Sequence, residues 1–143
     1  MTIARIIAQR GPSDIVACDC TTPVSEVVRI LATQRIGALP VMREGKVVGI
    51  VSERDVIYRL ADHGGGCLDL AVEAIMTSPA ITVEPATTID EALGMMTRRR
   101  FRHFPVVENG KLVGFISIGD LVKYKMGEVQ HEAEALRNYI QAG

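Results

Sequence analysis

With 143 residues, 48 % of them hydrophobic and 23 % charged, the chain has room for one compact domain or two very small ones sharing a core, and its composition excludes a disordered polymer. A formal net charge of −1 excludes a global pull toward nucleic acid or anionic membrane. Trp is absent and aromatics are 4 %, so Val, Ile, Leu, Met and Ala must build the core.

At the start, Ile3, Ile6 and Ile7 form a short amphipathic stripe, without the long apolar stretch of a signal peptide. No apolar run approaches the ~20 residues needed to span a bilayer, so a cytoplasmic protein is expected. Ile15–Asp19 reads as a short strand. It leads to Cys18 and Cys20, which on a strand would point the same way and could share a metal. No nearby His or third Cys completes such a site, and buried free thiols are the favoured reading; Cys67 stands alone. Thr22 is placed to cap a helix with Pro23 at its first position, and Val24, Val27, Val28 and Leu31 give that helix one apolar stripe. Leu39–Met42 and Lys46–Val51 read as strands joined by a turn at Glu44-Gly45, and a second helix starts after Ser52.

Next, His63-Gly-Gly-Gly-Cys67 reads as a flexible break, and Leu68–Met76 as a short helix. The same series then returns. Ala80–Glu84 is a strand, Thr87 with Asp90 a helix start, and Ile89, Ala92, Leu93 and Met96 the apolar stripe. Phe104–Val107 and Lys111–Ile116 flank the type I′ signal Asn109-Gly110, and a helix follows Ser117. Val129, Ala133, Leu136 and Ile140 mark a further amphipathic helix, which could cover the module or join two copies of it.

Residues 24–60 align without a gap on residues 89–125 at a constant offset of 65. Pro40 meets Pro105, Gly45 meets Gly110, Gly49 meets Gly114, Ser52 meets Ser117 and Asp55 meets Asp120. The chain is a duplicated unit of strand, helix, strand, strand, helix. One unit is too small to bury both faces of its sheet; two packed together can do so. The predicted class is α+β: two tandem repeats packed as a pseudo-two-fold pair with flanking N- and C-terminal helices. Their limits are 1–66 for the first repeat with its N-terminal helix, 67–127 for linker and second repeat, and 128–143 for the terminal helix.

Gly49-Ile-Val-Ser-Glu-Arg-Asp55 and Gly114-Phe-Ile-Ser-Ile-Gly-Asp120, each preceded by a strand opening at Pro, resemble the paired signature of CBS domains, in particular small stand-alone bacterial pairs. That resemblance implies a non-catalytic Bateman module: a regulatory sensor binding AMP, ATP, NAD(H) or S-adenosylmethionine between its units, AMP first, and associating as a homodimer. It implies one cleft built from Ser52, Asp55 and Ala38, Leu39 and Pro40 with Thr77 to Ile81, including Ala80. The other would combine Ser117, Asp120 and Arg102, His103, Phe104 and Pro105 with Ile15, Val16 and Ala17. Backbone on the leading strand would read adenine, with Ile50, Ile81 and Ile116 sandwiching the ring.

Ser and Asp at a strand-to-helix junction are equally a capping box; Ser can cap while Asp faces a cleft and accepts ribose hydroxyls. The units differ at Arg98-Arg-Arg-Phe-Arg-His103, whose counterpart has only Arg35. Arg102 and His103 are candidate phosphate ligands for one cleft and Arg54 for the other, whereas His63 and His131 are expected at the surface. Two readings compete: a structural dimerisation module with empty clefts, and nucleic-acid binding through Arg98–Arg102. Against the latter, Phe101 and Phe104 align with apolar Ile36 and Leu39, as core residues would. No nucleophile with an adjacent base and no metal-ligand cluster can be placed, so neither an enzyme nor a catalytic cofactor is expected, and the protein partner is not legible.

Overall fold

A computed structural model of the chain describes residues 1–11 and 15–142; Gly143, the last residue of the expected terminal segment, lies outside them. Helix α1 is Ile3–Ala8, β1 Cys18–Asp19, α2 Val24–Gln34, β2 Ala38–Arg43, β3 Lys46–Ser52 and α3 Glu53–His63. The second repeat gives α4 Ile89–Arg99, β4 His103–Glu108, β5 Lys111–Ser117 and α5 Ile118–Ala142. The sheet of unit one is β1-β2-β3 and that of unit two is β4-β5. Both hairpins are antiparallel with the same register and a bulge at the same place, after Val41 and after Val106. Glu44-Gly45 and Asn109-Gly110 have positive φ at both turn residues, the type I′ geometry that suits strand twist.

Each unit has its own core. Val24, Val27, Leu39, Val41 and Val51 centre the first; Ile89, Ala92, Phe104, Val106 and Ile116 centre the second. What joins them is a crossed exchange. Helix α1, first in the chain, buries Ile3 and Ile6 completely in the core of unit two. Val72 and Ile75, which lead into unit two, are buried in the core of unit one. The backbone repeats the exchange. Ile3 N–H bonds the Thr87 carbonyl at 2.9 Å ahead of α4, and Val72 N–H bonds the Thr22 carbonyl at 2.7 Å ahead of α2. Each fully buried Ile side chain contributes about 1.5–3 kcal/mol to holding the exchanged segment in place.

Several local expectations are corrected by this exchange. Thr22 does not cap α2: Pro23 occupies the cap position and the Thr22 backbone is taken by Val72. Thr88 with Glu91, not Thr87 with Asp90, forms the capping box of α4, because the Thr87 hydroxyl closes the preceding turn onto Glu84 N–H. The glycine run is not a loose break but a 3₁₀ turn, Gly64–Asp69, that buries Cys67. The helix expected over Leu68–Met76 is broken, since Ala71 must be extended to bridge Pro23; only Val72–Ala74 coils again. The two leading strands shrink to Cys18–Asp19 and a single bridge, Val83 to Val106. The expected terminal helix is continuous with the helix after Ser117. No helix among the described residues is long and apolar enough to cross a membrane.

The duplicated glycines mark where the exchanged segments cross β3 and β5. A Cβ on Gly49 would lie 2.6 Å from Met76 Sδ and 2.8 Å from the Thr77 carbonyl oxygen; on Gly114 it would lie 3.0 Å from Ile7 Cγ1. A side chain can yield, whereas the Thr77 carbonyl is fixed by its bond to Ile50 N–H. Gly49→Ala is therefore expected to cost about 2–3 kcal/mol and Gly114→Ala about 1 kcal/mol or less in urea unfolding. Equal costs would refute the crossing as the reason for the glycines.

Candidate functional site

Two clefts lie between the units, one beside each strand-to-helix junction. In the first, Ser52 closes β3 and caps α3. Its hydroxyl accepts from Asp55 N–H at 3.2 Å, its own N–H donates to Asp55 Oδ2 at 2.8 Å, and its hydroxyl lies 3.1 Å from the same oxygen. Thr77, from the exchanged segment, donates its hydroxyl to Asp55 Oδ1 at 3.2 Å. The cavity here is about 240 Å³ and is lined by Ala38, Ile50, Ser52, Arg54 and Asp55 of unit one, with Thr77, Ala80, Ile81, Arg100, Arg102 and His103 from the other side.

The second cleft, about 390 Å³, repeats the plan with one substitution. Ser117 N–H donates to Asp120 Oδ2 at 2.9 Å, and Asp120 N–H to the Ser117 hydroxyl at 3.1 Å. Asp120 Oδ1 is taken not by a hydroxyl but by Arg10, whose Nη2 stands 2.5 Å away while Nη1 donates to the Phe115 carbonyl at 3.3 Å. Val16, Ile15, Arg35, Ile36, Ala38, His103 and Ile116 complete the wall. Burial alone would raise the Asp120 carboxyl, but the Arg10 guanidinium and the Ser117 bonds hold it below the ordinary carboxylate value.

The capping box is thus real in both units, and it leaves one carboxylate oxygen of each Asp turned toward its cleft. Among the charged side chains lining the first cleft are three guanidiniums, Arg54, Arg100 and Arg102, against Glu53 and Asp55. The second sets Arg10 and Arg35 against Asp120. Both clefts favour an anion over a cation. Arg35 and Arg100 are the left-handed C-cap residues of α2 and α4, so the same backbone turn aims each into the cleft whose carboxylate the other unit provides. His103 lines both clefts and stacks on Phe115 with centroids 5.5 Å apart. Burial, reinforced by Arg102, lowers its pKa against the opposing pull of Asp120 and Glu53.

The structure sorts the sequence candidates. Ser52, Arg54, Asp55, Ala38, Thr77, Ala80 and Ile81 meet in the first cleft. Ser117, Asp120, His103, Ile116 and Val16 meet in the second. Arg102 lines the first cleft, together with Arg100, rather than the second. Leu39, Pro40, Phe104 and Pro105 are buried: Leu39 and Phe104 point into the cores, and the Pro105 carbonyl accepts Val83 N–H at 3.0 Å. Ala17 is exposed and lines neither cleft. Arg10, Arg35 and Arg100 were missed, and Arg10 could not have been found from spacing, standing 110 residues from its partner. Of the basic run, Arg98 and Arg99 end α4 where the helix dipole favours cations, exposed to solvent. His63 and His131 are exposed. All three cysteines are buried and free, and burial, with Asp19 and Cys20 nearby, pushes the Cys18 thiol up to about 11. Among the described residues no group of acidic, His and Cys side chains could hold a metal.

Because Asp120 is depressed on folding, the stability of its ion pair is present above the unfolded carboxylate pKa, about 4, and lost as pH falls through the lower folded value. Arg10→Ala is expected to cost about 0.5–1 kcal/mol at pH 7, as a partly exposed pair does, and less at pH 3. Thermal unfolding of both proteins at the two pH values checks this; an equal loss at pH 3 would deny the carboxylate its part.

The CBS-domain family profile matches residues 12–62 and 72–127 of the chain. A mitochondrial CBS domain-containing protein of Arabidopsis thaliana is 34 % identical over 99 % of this chain and 73 % of its own length. A CBS-domain protein from Agrobacterium tumefaciens superposes with a TM-score of 0.82 at 35 % identity, covering 87 % of this chain and 99 % of that one. The CBS domain pair of protein MJ0100, solved with 5′-methylthioadenosine and S-adenosyl-L-methionine, superposes with a TM-score of 0.78 at 25 % identity, over 90 % of this chain and 98 % of that one.

Proposed function

The chain belongs to the CBS-domain family, as a tandem pair, and from that membership we propose that it is a non-catalytic regulatory module whose two clefts bind adenine nucleotides or related adenosine derivatives. The observation that carries this reading is the repeated pairing of a capped, cleft-facing carboxylate with guanidiniums from the opposite unit. A carboxylate accepts the two hydroxyls of a ribose, guanidiniums bind phosphate oxygens, and Ile50 with Ile81, or Ile116, offers apolar surface to a base. The adenosine-containing ligands of the MJ0100 pair support the same class of ligand. AMP is the first choice, ahead of NAD(H) and ATP, since each cleft has few cations to spare for a longer phosphate chain. The three free cysteines suit a reducing cytoplasm.

The clefts are not equivalent on this reading. To reach Asp55 a ribose displaces the neutral Thr77 hydroxyl; to reach Asp120 it must break an ion pair with Arg10. The first cleft fills first. A ligand bridging the units then favours one of their relative arrangements, and a partner senses the shift.

Thermal unfolding and calorimetric titration with AMP, NADH, ATP and S-adenosylmethionine test this. At about 100 times its Kd a ligand adds about 2.7 kcal/mol, several degrees in Tm for a chain of this size. The ligand-induced shift is expected to vanish in Asp55→Ala, and Arg10→Ala to raise the stoichiometry from one toward two. No shift with any of the four, or a shift indifferent to both Asp55→Ala and Asp120→Ala, would overturn the assignment.

A further inference from the structure

Among the described residues, Gly37, Ala38 and His103 line both clefts, and of these His103 alone can ionise. At the offset of 65 that relates the repeats, His103 answers to Ala38 and Arg102 to Gly37. Ala38 and His103 each open a strand and pair with the serine that closes the next one, Ser52 and Ser117. The two strand starts meet between the clefts, and the first contributes almost no side chain. A Cβ on Gly37 would lie 3.5 Å from His103 Cε1 and 3.8 Å from Nε2, so the imidazole occupies the space that Gly37 leaves. One ring thus forms part of the wall of both clefts.

That ring is packed but not paired. It stacks on Phe115 with the planes 12° apart, and among the described residues neither imidazole nitrogen has a hydrogen-bond partner. Glu53 of α3 and Asp120 of α5 favour a proton on it; burial and Arg102, just ahead of β4, oppose one and prevail. The other charged groups of the clefts are Arg54, Asp55 and Arg100 in the first and Arg10 and Arg35 in the second, a mainly cationic set that adds no pull for a proton. The ring is therefore neutral near pH 7.

An anion in either cleft works against that balance. Negative charge beside an unpaired ring nitrogen favours the imidazolium, which donates a charge-assisted hydrogen bond, and whatever favours the proton is in turn bound more tightly when protons are plentiful. Resting on the nucleotide reading above, we propose that His103 is a specificity residue common to both clefts: it takes a proton from solvent when the bound adenosine derivative carries a phosphate, and so raises the preference for phosphorylated over uncharged ligands as pH falls. A sulfonium ligand gains nothing from the protonated ring, and an uncharged one little. Ala38, the counterpart of His103, has no such capacity, so the discrimination entered with one repeat and serves both.

Proton NMR of the full chain reads this directly, because the other two histidines, His63 and His131, are exposed and line neither cleft. The His103 Cε1–H resonance, identified by its loss in His103→Gln, is expected to titrate about one unit higher with saturating AMP than without, and to stay in place with 5′-methylthioadenosine. The ratio of AMP to 5′-methylthioadenosine affinity, taken in wild type relative to His103→Gln so that the titration of the phosphate itself cancels, should rise about tenfold between pH 7.5 and pH 5.5, the equivalent of one pKa unit. In Asp55→Ala combined with Arg10→Ala, where the second cleft alone is left to bind, AMP should still move the resonance; an unmoved resonance there, with AMP bound, would overturn the sharing. AMP binding that leaves His103 unmoved in wild type, or a pH response equal in His103→Gln, would overturn the proposal and leave the nucleotide reading standing. Absence of AMP binding to wild type at either pH would instead sink the nucleotide reading, and this inference with it.

Discussion

The crossed exchange of leading segments is the constraint from which the rest of the structure follows. Neither unit completes its core with residues contiguous to its own strands: unit two borrows Ile3 and Ile6, and unit one borrows Val72 and Ile75. Each borrowed piece must pass over the last strand of the unit it joins. That crossing leaves no room for a side chain on the strand, hence Gly49 beneath Met76 and Gly114 beneath Ile7. A simple side-by-side dimer of independent halves would need neither glycine. The exchange also ties the two small cores together, since separating the halves would strip fully buried isoleucines from one and valine from the other.

The same exchange shapes the clefts. After crossing the strand, each borrowed segment arrives beside the capped Asp of its host, so the partner of the free carboxylate oxygen comes from the segment and not from the repeat. Thr77 plays that part at Asp55 and Arg10 at Asp120. The repeats themselves are nearly identical in backbone, down to the bulge and the left-handed Arg35 and Arg100. The asymmetry between the clefts therefore lies largely in the connecting pieces. Those pieces are free to differ, because their apolar positions alone are fixed by the cores.

What was legible in the sequence was what depends on near neighbours. The hairpin turns at Glu44-Gly45 and Asn109-Gly110, the capping pairs Ser52 with Asp55 and Ser117 with Asp120, and the apolar stripes of α2 and α4 all follow from local chemistry, and duplication read each of them twice. The exchange was hidden for a specific reason. Ile3, Ile6 and Ile7 match Val72, Ile75 and Met76 at an offset of 69, not 65, so a gapless comparison of the repeats passes over them. Without that match, α1 seemed to belong to the unit it precedes, the linker looked slack, and Arg10 had no visible route to Asp120. Strand positions also misled in one respect. Leu39 and Phe104 lie in the segment that approaches the clefts, yet a two-residue period turns them into the cores and leaves Ala38 and His103 at the cleft wall.

On the proposed reading, the exchange also supplies a route by which occupancy is felt at a distance. Thr77 does more than shield Asp55; its backbone pairs in both directions with Ile50, at 2.8 and 3.0 Å, and Ile50 lines the same cleft. A ligand that displaces the Thr77 hydroxyl therefore acts on a segment that ties unit two to the sheet of unit one. At the other cleft the corresponding tie runs through Arg10 to α1, whose buried isoleucines sit in the core that also anchors Leu121 at the root of α5. Releasing Arg10 loosens a contact between α1 and the start of α5, where Gln9 also holds Tyr124. The second cleft thus meets helix α5 through Asp120 of α5 itself and the first through the Arg102 carbonyl, which accepts Ile118 N–H at 2.8 Å, so on this reading filling the second cleft displaces the side chain bonded to α5.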